Sequence, residues 1–266
     1  FSENLLRYRD DKKAIIFRNE TSQKAELTYN ELFLEVSKVA SALKKSGVGP
    51  GDAVVGLLPN IPESIVAMLA TASLGATWSC CSPDFGVKAV LDRFLQVKPK
   101  VIFAANGYYY NGKLFKTINK LQKIAQGLPS IINTIIIDYP SSSIEKYRIQ
   151  NKINYKDYVD SGRTSLQFVQ LPFDHPLYIM YSSGTTGIPK SIVHGSGGTL
   201  IQHLKELILH CDLKRKDTIF YFTTCGWMMW NWLITSLSVG STIVLYDGSP
   251  SYPSIDCLWK LVEELD

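Results

Sequence analysis

An α/β fold, with parallel or mixed sheets flanked by helices, is what this sequence predicts. Three observations carry the prediction. Short apolar runs alternate with helix-patterned stretches along most of the 266 residues, turn residues separate them, and 45% of the residues are hydrophobic against 20% charged. Strands joined by helical crossovers come out parallel, with helices packed on the sheet faces. The length suits one large domain or two modest ones, with a sizeable core.

The elements follow in order. "LTYNELFLEVSKVASALKKSG" opens with a capping box, Thr28 followed by Glu31, places Leu32, Val36, Val39, Ala40 and Leu43 on one helical face, and stops at Gly47. The turn "GVGPGD" leads into "AVVGLL", an apolar run bounded by Pro59 that reads as a buried strand. A helix from Pro62 to Leu74, a strand near "ATWSC", a helix across "VKAVLDRFLQV", the strand "KVIFAA", a helix around Leu114 to Ala125 and the strand "TIIIDY" come next. Residues 141–172 are polar and weakly patterned, which reads as a connecting excursion. The alternation then resumes with the strand "LYIMYS", a glycine-rich loop, a helix from Gly198 to His210, the strand "TIFYFTT", a helix from Trp227 to Val239, the strand "STIVLYD" and a helix from Ile255 onward. Chain order therefore divides the protein into a first α/β subdomain (1–140), the excursion (141–172) and a second α/β subdomain (173–266).

Several function classes fall away. Lys+Arg 28 against Asp+Glu 24 gives a net charge of +4, and the basic residues are scattered, so no stripe suited to a nucleic-acid backbone is present. The cysteines, Cys80, Cys81, Cys211, Cys225 and Cys257, are odd in number and lack a C-x-x-C spacing, which argues against a disulfide framework or a zinc site. Reduced thiols in a cytoplasmic setting are the simplest expectation, and no metal-ligating set is assigned. No run reaches the roughly 18 apolar residues of a membrane span, and no signal-peptide pattern is seen. The opening "FSENLLRY" lacks a methionine and the closing "WKLVEELD" stops in a helical pattern, so a fragment of a longer protein is expected. Oligomeric state is not legible.

The informative stretch is "YSSGTTGIPKSIVHGSGG", Tyr181 to Gly198. Backbone N–H groups curled about an anion and backed by a lysine are a common way to hold phosphate. "GTTGIPKS" misses the Walker pattern at one position, since Pro189 stands where that pattern needs glycine and has no N–H to offer. An ordinary P-loop is therefore excluded, and with it a kinase or helicase reading. Ser182, Ser183, Thr185 and Thr186 supply hydroxyls, Lys190 supplies charge, and Gly184 and Gly187 leave the chain free to fold over a ligand. A mobile turn rich in Ser, Thr and Gly has the same composition. The expected position between a strand and a helix favours the phosphate reading.

The same residues resemble the signature loop of the adenylate-forming superfamily, [YF]-[ST]-S-G-[ST]-T-G-x-P-K, with every position met. "SPDFGVKAVLDRF" and "PKVIFAANGYYYNGK" are similar to its acetyl-CoA synthetase branch, and "GGTLIQHLKE" and "TTCGWMMWNWLITSLSVGSTIVLYDGSP" to ligases that activate acetoacetate. The resemblance covers essentially the whole chain and implies the N-terminal part of the adenylate-forming fold. Such enzymes join a carboxylic acid to coenzyme A at the expense of ATP with Mg²⁺, through an acyl-adenylate, releasing AMP and pyrophosphate.

Carried over residue by residue, the resemblance implies that Ser182, Ser183, Gly184, Thr185, Thr186, Gly187 and Lys190 hold the β- and γ-phosphates, with Lys190, Thr185 and Thr186 in the catalytic role. Trp227, Met228 and Met229 would border the acyl pocket. By spacing alone "GWMMWNW" is an apolar core helix with Trp227, Trp230 and Asn231 on one face. Lys113 matches one of two basic residues that meet coenzyme A in relatives, whereas Tyr110 stands where the other charge would be. Ser251 lies where relatives place an asparagine beside coenzyme A. Both Lys113 and Ser251 read equally as solvated loop residues. Relatives also carry a Thr-Glu motif, a ribose-binding aspartate and a catalytic lysine in later segments, so this stretch by itself is not expected to complete the reaction. A ligase for acetate or propionate, or a non-catalytic nucleotide-binding piece, are the alternatives. His203 and His210 are expected at the surface or in caps, Cys80, Cys81 and Cys225 as small buried residues, and Asp247 as a turn cap.

Overall fold

A computed structural model describes residues 1–140, 148–159, 165–182 and 187–265. The chain begins with α1 (Ser2–Leu5), β1 (Lys13–Asn19), β2 (Lys24–Thr28), α2 (Tyr29–Lys45), β3 (Ala53–Leu57), α3 (Pro62–Ser73) and β4 (Thr77–Cys81). It continues through α4 (Val87–Val97), β5 (Val101–Ala105), β6 (Gly107–Tyr110), β7 (Lys113–Lys116), α5 (Ile118–Gln126) and β8 (Asn133–Ile137). Then come β9 (Lys152–Asn154), α6 (Tyr155–Tyr158), β10 (Pro176–Ser182), β11 (Lys190–Gly195) and α7 (Ser196–Leu204), which runs into a π-helical turn over Lys205–His210. The last elements are β12 (Thr218–Phe220), α8 (Met228–Thr235), β13 (Thr242–Asp247) and α9 (Cys257–Leu265).

Seven strands form one sheet in the order β11-β10-β4-β3-β5-β8-β9, four form another in the order β12-β13-β1-β2, and β6-β7 is a separate hairpin. Pairing is parallel from β10 across to β9 and antiparallel only at the β10–β11 edge. In the smaller sheet β12, β13 and β1 are parallel, and β2 is antiparallel to β1. The fold class expected from the alternation is thus present, as mixed sheets. The division at 140 and 173 follows chain order and not the sheets. β1 pairs with β13 and β10 with β4, so strands from both sides of residues 141–172 meet in each sheet.

Alternate residues of β3 and β5 serve two cores. Val54, Val101 and Phe103 face α2, α3 and α8, while Val55, Leu57, Ile102 and Ala104 face α4 and α5. Covering both faces is what keeps these strands continuously apolar. The first core also takes Ile15, Phe17, Ile243 and Leu245 from the smaller sheet, so α2, α3 and α8 lie between the sheets. α3 is accordingly buried from Ser64 to Ser73, the all-round burial of an interior helix. α2 starts as expected: Thr28 Oγ1 accepts from the Glu31 N–H at 3.1 Å, and Glu31 Oε2 accepts from the Thr28 N–H at 2.8 Å. Gly47, at φ +73°, supplies the left-handed residue after its end.

Several segments differ from the pattern-based expectation. The helix expected around Leu114 to Ala125 starts only at Ile118, because Lys113–Lys116 pairs with β6 as β7. Residues 13–28, left without an element, form the β1–β2 hairpin; its apolar run is only Ala14 to Phe17, and the adjoining Arg18 is buried through an ion pair with Glu264 at 3.1 Å. Within the polar excursion, β9 adds to β8, and α6 tucks Tyr158 against Phe103 while its hydroxyl meets Ser46 Oγ at 2.9 Å. β11 occupies residues expected as loop.

Candidate functional site

Parallel strands point their carboxyl ends the same way, and in open α/β sheets that edge is where ligands settle. Here the edges of both sheets open into one cleft of about 380 Å³. Pro59 and Asn60 follow β3, Ser82 to Asp84 follow β4, Tyr108 to Tyr110 follow β5, Thr223 and Thr224 follow β12, and Asp247, Gly248 and Pro250 lie at the end of β13. A larger hollow, about 690 Å³, lies between α2 and residues 165–169, with Lys44 the one charged side chain among the described residues on its wall. It lacks the convergence of strand ends and polar groups that the smaller cleft has, so the smaller one is the better site.

The cleft walls are held by buried polar contacts. Trp230 Nε1 donates to Asn60 Oδ1 at 2.9 Å, and Asn60 Nδ2 donates to the Thr223 carbonyl at 3.4 Å, which orients the carboxamide. The Cys225 thiol donates to the Pro59 carbonyl at 3.2 Å. These contacts lay "TTCG", Thr223 to Gly226, across the end of β3, just before Trp227 to Met229. On the opposite wall, Tyr108 and Phe115 stack with centroids 5.1 Å apart.

Asp247, expected as a turn cap, is buried and turns its side chain to Tyr139. Its Oδ2 accepts from the Tyr139 hydroxyl at 2.7 Å, and that hydroxyl in turn accepts from Asn19 Nδ2 at 3.1 Å. Burial pushes its carboxyl up to about 6; hydrogen bonds from Tyr139 and the Tyr109 N–H oppose the shift, and the nearby charge of Glu20 adds to it. The folded protein therefore holds this proton more tightly than the unfolded chain does. The associated stability is full below the ordinary value near 3.8 and is lost as pH rises through about 6. That loss amounts to at most about 3 kcal/mol. Asp247→Asn should flatten the fall, measured as denaturant midpoints between pH 4 and 7; a slope equal to the parent's would contradict the assignment.

The glycine-rich loop takes a different setting from the one expected. It is a hairpin connection between antiparallel β10 and β11, with Ser182 opposite Lys190 and Tyr181 opposite Ser191. The helix begins only at Ser196, so the length of β11 separates its N-terminus from the loop. Ile192 and Val193 are 46% and 57% exposed, and this edge strand lacks the in–out alternation that would have marked it in the sequence. The hairpin base is pinned to α4: Gln96 donates to the Pro189 carbonyl at 2.8 Å and accepts from Ser191 Oγ at 2.7 Å, and the Tyr181 hydroxyl donates to the Arg93 carbonyl at 3.2 Å. Lys190 and Gly187 are exposed, and Gly187 has φ +119°. Ser183, Gly184, Thr185 and Thr186 lie outside the described residues.

Trp227 stands before α8 with extended backbone angles and is 68% exposed, so it does not share a helical face with Trp230 and Asn231, which are buried. Met228 and Met229 open the helix half-buried. Lys113 pairs with Tyr110 across the β6–β7 turn, and Ser251 lies in the turn after β13; a Cβ on Gly112 would come within 2.7 Å of Tyr252, so the two turns touch. His203 corrects the surface expectation: it is 1% exposed, its Nδ1 lies 2.8 Å from Thr235 Oγ1, and burial pushes its pKa down to about 4. Cys80, Cys81 and Cys225 are buried, as expected. Spacing arguments missed Asn19, Asn60 and Tyr139, lone polar residues whose partners are distant in sequence. Among the described residues no helix is long and apolar enough to cross a membrane.

Known proteins resemble this chain along its length. The AMP-binding enzyme family profile matches residues 1–266. Acetoacetyl-CoA synthetase of Gallus gallus is 48% identical over 273 residues, covering 100% of this chain and 41% of that protein. Acetoacetyl-coenzyme A synthetase of Rhizobium meliloti (strain 1021) is 48% identical over 97% of this chain and 40% of its own length. The solved acetoacetyl-CoA synthetase from Streptomyces lividans superposes with a TM-score of 0.92 at 43% identity, over 98% of this chain and 40% of that one. The chain thus spans about two fifths of the relatives it matches.

Proposed function

The chain belongs to the AMP-binding enzyme family, and on that premise we propose that this protein is an acid–thiol ligase that activates acetoacetate to acetoacetyl-CoA. The carboxylate attacks the α-phosphorus of ATP, forming the acyl-adenylate and expelling pyrophosphate; the thiol of coenzyme A then attacks the acyl carbon and expels AMP. The observation that carries this reading is the ten-position loop signature, Tyr181 to Lys190, in a chain 48% identical along its whole length to a protein named acetoacetyl-CoA synthetase.

In this reading the loop residues Ser182 to Gly187 and Lys190 grip the β- and γ-phosphates, and Lys190, with Thr185 and Thr186, stabilises charge as pyrophosphate departs. A loop carried on a hairpin whose base is fastened to α4 suits a grip that must open before the thiol enters. Mg²⁺ comes with ATP, on the phosphate oxygens, as part of the substrate. Trp227, Met228 and Met229 border the acid, and two unbranched methionines fit the bend of a short keto acid. The cleft at the strand ends receives coenzyme A, with Lys113 and Ser251 on the turns at its rim.

The test is an acid panel with the full-length protein. Acetoacetate should give the highest kcat/KM for thioester formation, at least about tenfold above acetate and propionate, the discrimination expected of one to two added carbons and a carbonyl. Preference for acetate or propionate would reassign the substrate; no turnover with any acid would reject the ligase reading.

A further inference from the structure

Glu20 lies just past the end of β1 and is 8% exposed. Its carboxylate binds three main-chain amides: Oε2 accepts from the Asn111 N–H at 2.9 Å and the Ser249 N–H at 2.8 Å, and Oε1 from the Gly112 N–H at 2.8 Å. Hydrogen bonds from backbone amides to an ionised carboxylate are among the stronger ones available to a protein. The donors come from two different turns, the tip of the β6–β7 hairpin and the loop after β13. Residues flanking those turns, Tyr108 to Tyr110 on one side and Gly248 and Pro250 on the other, line the cleft.

The local backbone is shaped around this carboxylate. Asn111 at φ +53° and Gly112 at φ +73° form the left-handed pair of a tight hairpin, which turns two successive N–H groups to the same side. Gly248 has φ +140°, and a Cβ there would lie 2.8 Å from Glu20 Cβ and Oε2. Only glycine lets that loop come so close. Lys113 follows Gly112 directly, and Ser251 stands two residues past Ser249. One carboxylate therefore sets the relative position of both rim residues, yet it does not itself line the cleft.

We propose that Glu20 is a positioning residue: by clamping the Asn111–Gly112 turn to the Ser249 loop, it holds the rim of the cleft in the arrangement that binds coenzyme A. This rests on the ligase reading above. A clamp at the rim acts on the thiol half of the reaction, because the clamped turns follow β6 and β13, whereas the adenylating loop joins β10 and β11, of which no described residue lines the cleft.

The experiment compares Glu20→Gln and Glu20→Asp with the parent, all full-length. Glutamine puts an NH₂ where a carboxylate oxygen met an N–H; aspartate keeps the charge one methylene short. In Glu20→Gln the KM for coenzyme A should rise at least about tenfold, the equivalent of one such charge-assisted bond, while acetoacetate-dependent pyrophosphate exchange changes less than about twofold. Glu20→Asp should fall between Glu20→Gln and the parent. Amide hydrogen exchange of the peptides containing Asn111–Gly112 and Ser249 should quicken in Glu20→Gln without faster exchange in β3 and β5. An unchanged KM for coenzyme A, unchanged exchange at those amides, or equal losses in both half-reactions with a matching fall in melting temperature would overturn the clamp. Absence of pyrophosphate exchange in the parent would instead overturn the ligase reading, and the coenzyme A role of Glu20 with it.

Discussion

Replacing Lys190 by alanine in the full-length protein should slow acyl-adenylate formation at least about tenfold, within the range seen when one prepositioned charge donor is removed from a reacting centre. The side chain is exposed at the first residue of β11, opposite Ser182, so it supports no core and spans no buried pair. Its removal should leave the melting temperature nearly unchanged, as surface substitutions usually do. That combination, a rate lost without stability lost, is what a phosphate-gripping lysine predicts. Single-turnover quenching of the adenylate reads it directly, and an unchanged rate would remove Lys190 from the chemistry.

The largest stability effect should come from the neighbouring motif. Trp230→Ala should cost about 3–5 kcal/mol, the cost of emptying a buried tryptophan site. Trp230 is 0% exposed in the core between the sheets, and its Nε1 holds Asn60 Oδ1 at 2.9 Å. Trp227→Ala, three residues earlier but 68% exposed, should stay within about 0.5 kcal/mol of the parent. Urea midpoints of the two variants make the comparison. Equal losses would mean that both tryptophans pack in the core, as helical spacing alone suggested.

That pair shows where the sequence was legible and where it was not. Apolar periodicity found α2 with its capping box, and apolar runs found β3, β4, β5, β8, β10 and β13; in β3 and β5 burial on both faces writes itself as consecutive apolar residues. It failed where burial is partial or the partner is remote. β1 and β2 carry charges that are neutralised by Glu264 and Glu26, far along the chain or across the hairpin. β11 is an edge strand with its apolar side chains in the open. Trp227 fell outside α8 because a helix start depends on backbone angles that a wheel does not see. His203 resembled a surface residue until Thr235, thirty-two positions on, supplied its partner.

The site divides the same way. Local signature residues such as Ser182, Gly187 and Lys190 can be picked out from a continuous stretch. The polar framework around the cleft joins Asn19 to Tyr139 and Asp247, and Glu20 to Asn111, Gly112 and Ser249, across 91 to 229 positions in the case of Glu20. Such contacts arise only when strand order is set, since β1 must lie beside β13 before Glu20 can reach Ser249.

In the proposed reaction a hydroxyl-and-lysine hairpin loop holds ATP while an acid is joined to its α-phosphate. Exchange of labelled pyrophosphate into ATP by the full-length protein, measured without coenzyme A, tests it most directly. Exchange should require acetoacetate and be lost in Lys190→Ala. Thioester formation with no acid-dependent exchange, or exchange indifferent to Lys190, would contradict it.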